Sequence, residues 1–149
     1  MYKYKNILVP TDFSSGAENA ISHAIDIAKS MNARIHLLNV VQPVVYPIGI
    51  EIAHESLLNL EKELEENSRK SLEKICTKLS LDGIDNVYKV LMGKAHKVII
   101  DYANENEIDL TVIATHGSSG FEHFLFGSTT EKVIRKINAP ILVVHFPKE

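Results

Sequence analysis

Short apolar runs alternate along this chain with segments of helical spacing. Asn6–Pro10 (NILVP), Arg34–Val41 (RIHLLNVV), Val87–Met92 (VYKVLM), Asp109–Thr115 (DLTVIAT) and Pro140–Phe146 (PILVVHF) predict five strands. Three of them are nearly continuous in Val, Ile and Leu, as strands covered on both faces must be. Between them, Ala20, Ala24, Ile27, Ala28 and Met31 share one helical face, and so do Leu57, Leu60, Leu64, Leu72, Ile75 and Leu79. Val98, Ile99, Tyr102 and Ala103 mark a third helix, and Val133, Ile134 and Ile137 a fourth. The S-x-x-E spacing of Ser15 with Glu18, and of Ser128 with Glu131, predicts capping boxes at two helix starts. Asn138 and Pro140 end the fourth helix, and Val41–Glu51, with two prolines and a glycine, is the longest irregular stretch.

This βαβαβαβαβ alternation predicts one α/β domain over residues 1–149, a doubly wound sheet of five parallel strands with four helices on both faces. With the strand order 3-2-1-4-5, the winding reverses between strands 1 and 4. Open α/β sheets hold ligands at such a switch point, beyond the carboxyl ends of the strands. Two loops meet there, PTDFSS (Pro10–Ser15) after strand 1 and ATHGSSG (Ala114–Gly120) after strand 4.

Composition narrows the field. The 149 residues are 45% hydrophobic and 23% charged, ordinary values for a soluble globular chain. A net charge of −3 supplies no field for nucleic acid or an anionic membrane, so an anion must be held by a local device. A single cysteine, Cys76, excludes an intramolecular disulfide and suits a reducing compartment. The opening MYKYKNILVP has no apolar leader core, and no apolar run reaches ~18 residues. The expected location is the cytoplasm.

The loop after strand 4 carries the most suggestive chemistry. Gly117 is followed by nine residues and then Gly127 and Ser128. Gly117 and Gly120 free the backbone to turn N–H groups toward an anion, and Gly127 precedes a helix whose first N–H groups favour negative charge. The Ser128 and Thr129 hydroxyls can donate to phosphate oxygens or touch a bound Mg²⁺. The plainer alternative makes Ser128 an N-cap and the glycines turns; the switch-point position favours the cradle. No lysine follows Gly127, so this is not a Walker A loop. Asp12, at the end of strand 1, can accept hydrogen bonds from ribose hydroxyls or an exocyclic amine, or can be a turn aspartate. It lacks the acidic cluster of a phosphorylated receiver domain. His116 and His123 share the loop without metal-ligand spacing, and the other histidines are scattered. Cys76 is expected to pack, and Glu61–Lys74 to form a solvated helical face with pairs such as Glu65–Arg69.

The stretches NILVPTDFSSGAENAISHAIDIAKSMNARIHLLNVV, DLTVIATHG and FGSTTEKVIRKINAPILVVH closely resemble the universal stress protein family, over nearly the whole chain. Nucleotide-binding members carry G-x2-G-x9-G-[S/T] between strand 4 and the last helix. Gly117, the nine-residue gap, Gly127 and Ser128 match it, while Ala114 stands at the first glycine. The resemblance implies ATP at the switch point. By it, Asp12 contacts the nucleoside with Pro10 and Thr11 beside it, and the Val40 backbone meets the adenine edge. Gly117, Gly127, Ser128 and Thr129 correspond to the phosphate-binding elements, with Ala114 and His116 alongside. If the Ala114 position requires φ > 0, alanine is strained there by roughly 1 kcal/mol; if it requires only close approach, a methyl lowers affinity. The resemblance also implies a homodimer joined through strand 5, Ile141–Phe146.

The expected function is a stress protein that binds ATP, with Mg²⁺ as a companion, and signals through its dimer to a regulatory protein partner. An ATP-cleaving enzyme is the second reading. The 114–131 loop holds no lysine and no paired base and nucleophile, so at most weak hydrolysis is expected. A nucleotide-free interaction module of the same fold is the third.

Overall fold

The computed structural model describes residues 1–45, 53–117 and 126–145. The chain runs β1 (Asn6–Pro10), α1 (Ser15–Met31), β2 (Arg34–Val41), α2 (His54–Leu81), β3 (Asn86–Met92), α3 (Ala95–Glu105), β4 (Leu110–Ala114), α4 (Ser128–Lys136) and β5 (Ile141–Val144). The strands form one parallel sheet, as the alternation of elements predicts, and their order is the expected β3-β2-β1-β4-β5.

Burial follows position in the sheet. The central strands β1, β2 and β4 are buried almost throughout because both their faces are covered, whereas β5, equally apolar in sequence (ILVV), lies at the edge. Alternation along each strand divides the core in two. Ile7, Val9, Ile35, Leu37, Val112 and Ala114 pack with α1 and α2, whereas Leu8, Leu38 and Ile113 pack with α3 and α4. The edge strands β3 and β5 are only partly buried.

Both expected helix starts are corrected by one residue. The N-cap of α1 is Ser14, whose Oγ accepts from Ala17 N at 3.3 Å, so Ser15 is already helical. Phe13, at φ 64°, turns the chain and leaves Ser14 as the last extended residue. At α4 the N-cap is Gly127, with no side-chain cap, and Ser128 is the first helical residue. The Gly127 N–H donates back to Thr115 O at 2.8 Å, which fixes the start of the helix one residue ahead of the serine.

The apolar face of α2 is covered only at its C-terminal end, by burial of Leu72, Cys76 and Leu79. Leu57 and Leu60 are half-buried, and Leu64 is exposed. A helix of 28 residues is about 42 Å long, whereas the eight residues of β2 span about 26 Å, so α2 overruns the sheet. The pair Glu65–Arg69 gives way to Arg69 with Glu66 at 2.6 Å and with Glu73. At about 3.6 residues per turn, Glu66 and Glu73 lie to one side of Arg69 and Glu65 to the other. The favoured side is the one where Tyr88 Oη holds Glu73 at 2.9 Å.

Candidate functional site

The switch point opens because the ladders on both sides of β1 stop early. In a parallel pair, successive residues point their backbone groups alternately to one neighbour and the other. Asn6 O accepts from Asp109 N at 3.1 Å, so Asn6, Leu8 and Pro10 face β4. Proline has no N–H to give, and the β1–β4 pairing ends at Leu8↔Thr111. On the other side, Thr11 N donates to Leu38 O at 2.9 Å and the β1–β2 register closes at Pro10↔Leu38. Val41 O accepts from Gly93 N on the β3 side at 3.0 Å, so Val40 turns its backbone groups toward the space past the end of β1.

The chain leaving β1 then folds into a tight turn. Thr11, 5% exposed, accepts from Phe13 N through Oγ1 at 3.0 Å, and Asp12 Oδ1 accepts from Ser14 N at 3.0 Å. Asp12 is exposed. The chain leaving β4 comes to meet it. A Cβ built on Gly117 would stand 2.5 Å from Asp12 Oδ2, so the glycine is what lets the two loops touch. His116, beside it, is partly exposed.

Gly127 completes the approach. It sits over Thr115 and His116, where an added Cβ would meet Thr115 O at 3.5 Å and His116 Cα at 3.7 Å, both ordinary contacts. With φ −66° and ψ 159° its backbone is accessible to any residue, so the chain's own packing does not demand a glycine there. The first intrahelical bond of α4 runs from Glu131 N to Gly127 O at 3.0 Å. Helix geometry therefore leaves the N–H groups of Ser128, Thr129 and Thr130 without an intrahelical acceptor, at the positive end of the helix dipole.

The residues singled out in the sequence lie at the carboxyl ends of the central strands and at the start of α4. Pro10, Thr11 and Asp12 are at and after the end of β1, Val40 near the end of β2, Ala114, His116 and Gly117 at and after the end of β4, and Gly127, Ser128 and Thr129 at α4. The direct approaches among them are Asp12 with Gly117 and Gly127 with His116. Gly120 and His123 lie outside the described residues, as does Phe146. Ala114 is a strand residue registered with Val144 and is not among the positive-φ positions, so the strained alternative falls. Its methyl packs in the core against α1. Two side chains at this site escaped the sequence reading. Asn39, 7% exposed, donates from Nδ2 to Thr11 O at 2.8 Å, and Thr130, 4% exposed, donates from Oγ1 to Ala114 O at 2.8 Å. A polar residue inside the run RIHLLNVV was the available signal for the first.

The family model of universal stress proteins matches residues 3–145. The chain belongs to the universal stress protein family. A universal stress protein of Methanocaldococcus jannaschii is 34% identical over 146 residues, covering 98% of this chain and 85% of the relative. The solved structure of universal stress protein UspA from Lactobacillus plantarum matches with a TM-score of 0.87 at 25% identity, over 97% of this chain and 99% of its own. A universal stress protein from Archaeoglobus fulgidus, solved in complex with dAMP, shares the fold with a TM-score of 0.65 at 20% identity, over 95% of this chain and 98% of its own.

Other polar groups of this universal stress protein are structural. Burial pushes the Cys76 thiol up to about 11, which keeps it protonated and inert at neutral pH. Buried His36 joins three elements, with Nδ1 3.0 Å from Tyr102 Oη and Nε2 3.3 Å from Asn6 Oδ1. The neutral tautomer carrying hydrogen on Nε2 satisfies both, donating to Asn6 and accepting from Tyr102. Burial, then the Arg34 charge, lower the His36 pKa against the opposing pull of Asp85 and Asp109. Among the described residues no cluster of His, Cys, Asp and Glu could by itself hold a metal ion, and no helix is long and apolar enough to cross a membrane.

Proposed function

We propose that this chain binds an adenine nucleotide, ATP foremost, at the opening between β1 and β4, and acts as a nucleotide-dependent regulatory protein of the cytoplasm. The observation that carries the reading is the close meeting of Asp12 with Gly117 beside the N-terminus of α4. The N–H groups of Ser128 and Thr129 face an anion without rearrangement, and Gly127 leaves room for it. Asp12 accepts from ribose hydroxyls. The Val40 backbone offers a donor and an acceptor to the adenine edge, a pattern guanine does not match. Mg²⁺ would ride on the phosphates with the Ser128 and Thr129 hydroxyls, since no carboxylate cluster awaits it among the described residues. The dAMP complex of the related Archaeoglobus protein supports an adenine ligand.

Isothermal titration with ATP, ADP, AMP and GTP tests the reading. Micromolar binding of ATP with weaker GTP is expected, and no heat with any of the four overturns it.

The signal would pass to a protein partner through a homodimer built on β5. Thr115 N bonds Val144 O and Thr111 N bonds Pro140 O, so the alternate residues Ile141 and Val143 turn their backbone groups to the open edge. Val144 already belongs to the chain's own core, and Leu142, 36% exposed, is the side chain left to cover. Val143→Pro removes an edge donor without touching the β4–β5 ladder. Light scattering should show a dimer for the wild type and a monomer for this variant.

A further inference from the structure

The end of β1 carries an exchange of hydrogen-bond partners that bears on the Val40 site. The β1–β2 ladder runs from Arg34 N–Lys5 O at 2.8 Å to Thr11 N–Leu38 O at 2.9 Å. Its next step would join Val40 N–H to Thr11 O. That acceptor is instead held by the Asn39 side chain, Nδ2 to Thr11 O at 2.8 Å, in a buried position. Asn39 lies inside β2 with its side chain on the α1 and α2 face, beside Leu37, whereas Val40 packs toward α3 and α4. The amide therefore reaches the end of the ladder from outside the row of backbone donors.

We infer that Asn39 is a positioning residue for base recognition: by occupying Thr11 O, it ends the ladder one step early and leaves the Val40 N–H for the ligand. This role of Asn39 rests on the adenine-nucleotide reading. Adenine offers a ring nitrogen acceptor and an amino donor on its Watson–Crick edge, matching the Val40 N–H and C=O. Guanine offers a ring N–H and a carbonyl there, which oppose them donor to donor and acceptor to acceptor. Paired with Thr11 O, the Val40 N–H could make neither distinction. Asn39 also fixes the Thr11 carbonyl, and so the turn that presents Asp12.

Two readouts separate this role from a structural one. In the nucleotide-free wild type, amide hydrogen exchange at Val40 should be at least tenfold faster than at Leu38 and Val41, whose N–H groups lie within the ladders. In Asn39→Leu the ladder should close and the Val40 amide slow toward its neighbours. Titration of the same variant should show ATP affinity reduced about tenfold and the preference over GTP lost, with inorganic tripolyphosphate binding unchanged within twofold. Asn39→His, which keeps a ring N–H donor, should restore the preference. A Val40 amide as protected as Leu38 in the wild type overturns the role of Asn39 whatever the nucleotide result. Undiminished ATP preference in a folded Asn39→Leu variant overturns it too. Absence of ATP binding by the wild type instead sinks the nucleotide reading and the base-recognition half with it, while the exchange rates still decide the ladder.

Discussion

Gly117→Ala should separate ligand binding from folding at the meeting of the two loops. The new methyl would stand 2.5 Å from Asp12 Oδ2, closer than such atoms approach, so something must move. The obstructing atom is the end of a flexible side chain, and the least costly response is rotation of the Asp12 carboxylate. Holding it about 30° off its rotamer costs roughly 0.5–1.5 kcal/mol. Weakening its bond from Ser14 N, 3.0 Å in the native arrangement, costs about 1 kcal/mol more. Against this, the backbone of residue 117 lies outside the left-handed range, so alanine gains about 0.4–1 kcal/mol by restricting the unfolded chain. The net change in stability is about 1 kcal/mol.

Nucleotide binding should suffer more. A carboxylate swung out of place forfeits charge-assisted hydrogen bonds worth about 1.5–3 kcal/mol, roughly ten- to 150-fold in Kd at ~1.4 kcal/mol per decade. Thermal unfolding and ATP titration of the variant measure the two quantities side by side. A double-mutant cycle with Asp12→Asn isolates the route: if Gly117 acts through Asp12, the alanine should cost little further affinity once the carboxylate is gone. Native ATP affinity in the single variant would refute the reasoning, and full additivity in the cycle would refute the route.

The remaining predictions concern single sites. Gly127→Val should keep the fold, because the backbone is extended and an added Cβ makes only ordinary contacts, yet reduce ATP affinity at least tenfold by blocking the α4 N-terminus; equal affinity in a folded variant removes this helix end from the site. Thr111 is fully buried and its hydroxyl has no hydrogen-bond partner, so Thr111→Val should raise stability by about 1 kcal/mol, read as a higher urea midpoint; a lower midpoint would show that the hydroxyl is satisfied. His36 has a lowered pKa in the folded chain, so the unfolded state binds more protons and stability should fall as pH drops below about 6.5, the ordinary histidine value. Urea unfolding at pH 7.5 and 5.5 should show a smaller acid loss for His36→Gln, and an identical loss would exclude His36 as the cause.

The sequence exposed most of this architecture because its signals are periodic. Apolar runs and helical spacings marked the nine described elements and, through their alternation, a parallel sheet. The order β3-β2-β1-β4-β5 was one of the few that right-handed crossovers allow. The runs alone do not fix it, since edge strand β5 is as apolar as β1. Single-residue decisions were less visible. Ser15 and Ser128 have the spacing of capping residues, but each helix starts where a loop contact places it. For α1 that is the left-handed turn at Phe13; for α4 it is the bond from Gly127 to Thr115. The length of α2 hid a similar fact, since a regular leucine stripe carries no sign of where the sheet beneath it ends.

Asn39 shows why part of the candidate site stayed hidden. In sequence it is one polar residue in an apolar strand, and its spacing matches no binding motif. Its consequence depends on which residues of β2 face β1, where the Pro10 turn leaves the ladder, and which carbonyl is then within reach of its amide. None of these is a property of position 39 alone. Pro10 has a comparable double meaning: near a strand end it looks like a terminator, but its register toward β4 makes its missing N–H part of the opening. The glycines of the loop suggest a cradle by composition, whereas the edges of the opening between β1 and its neighbours are set by two missing ladder steps. One is left by a residue without a donor, and the other by a side chain that takes an acceptor first.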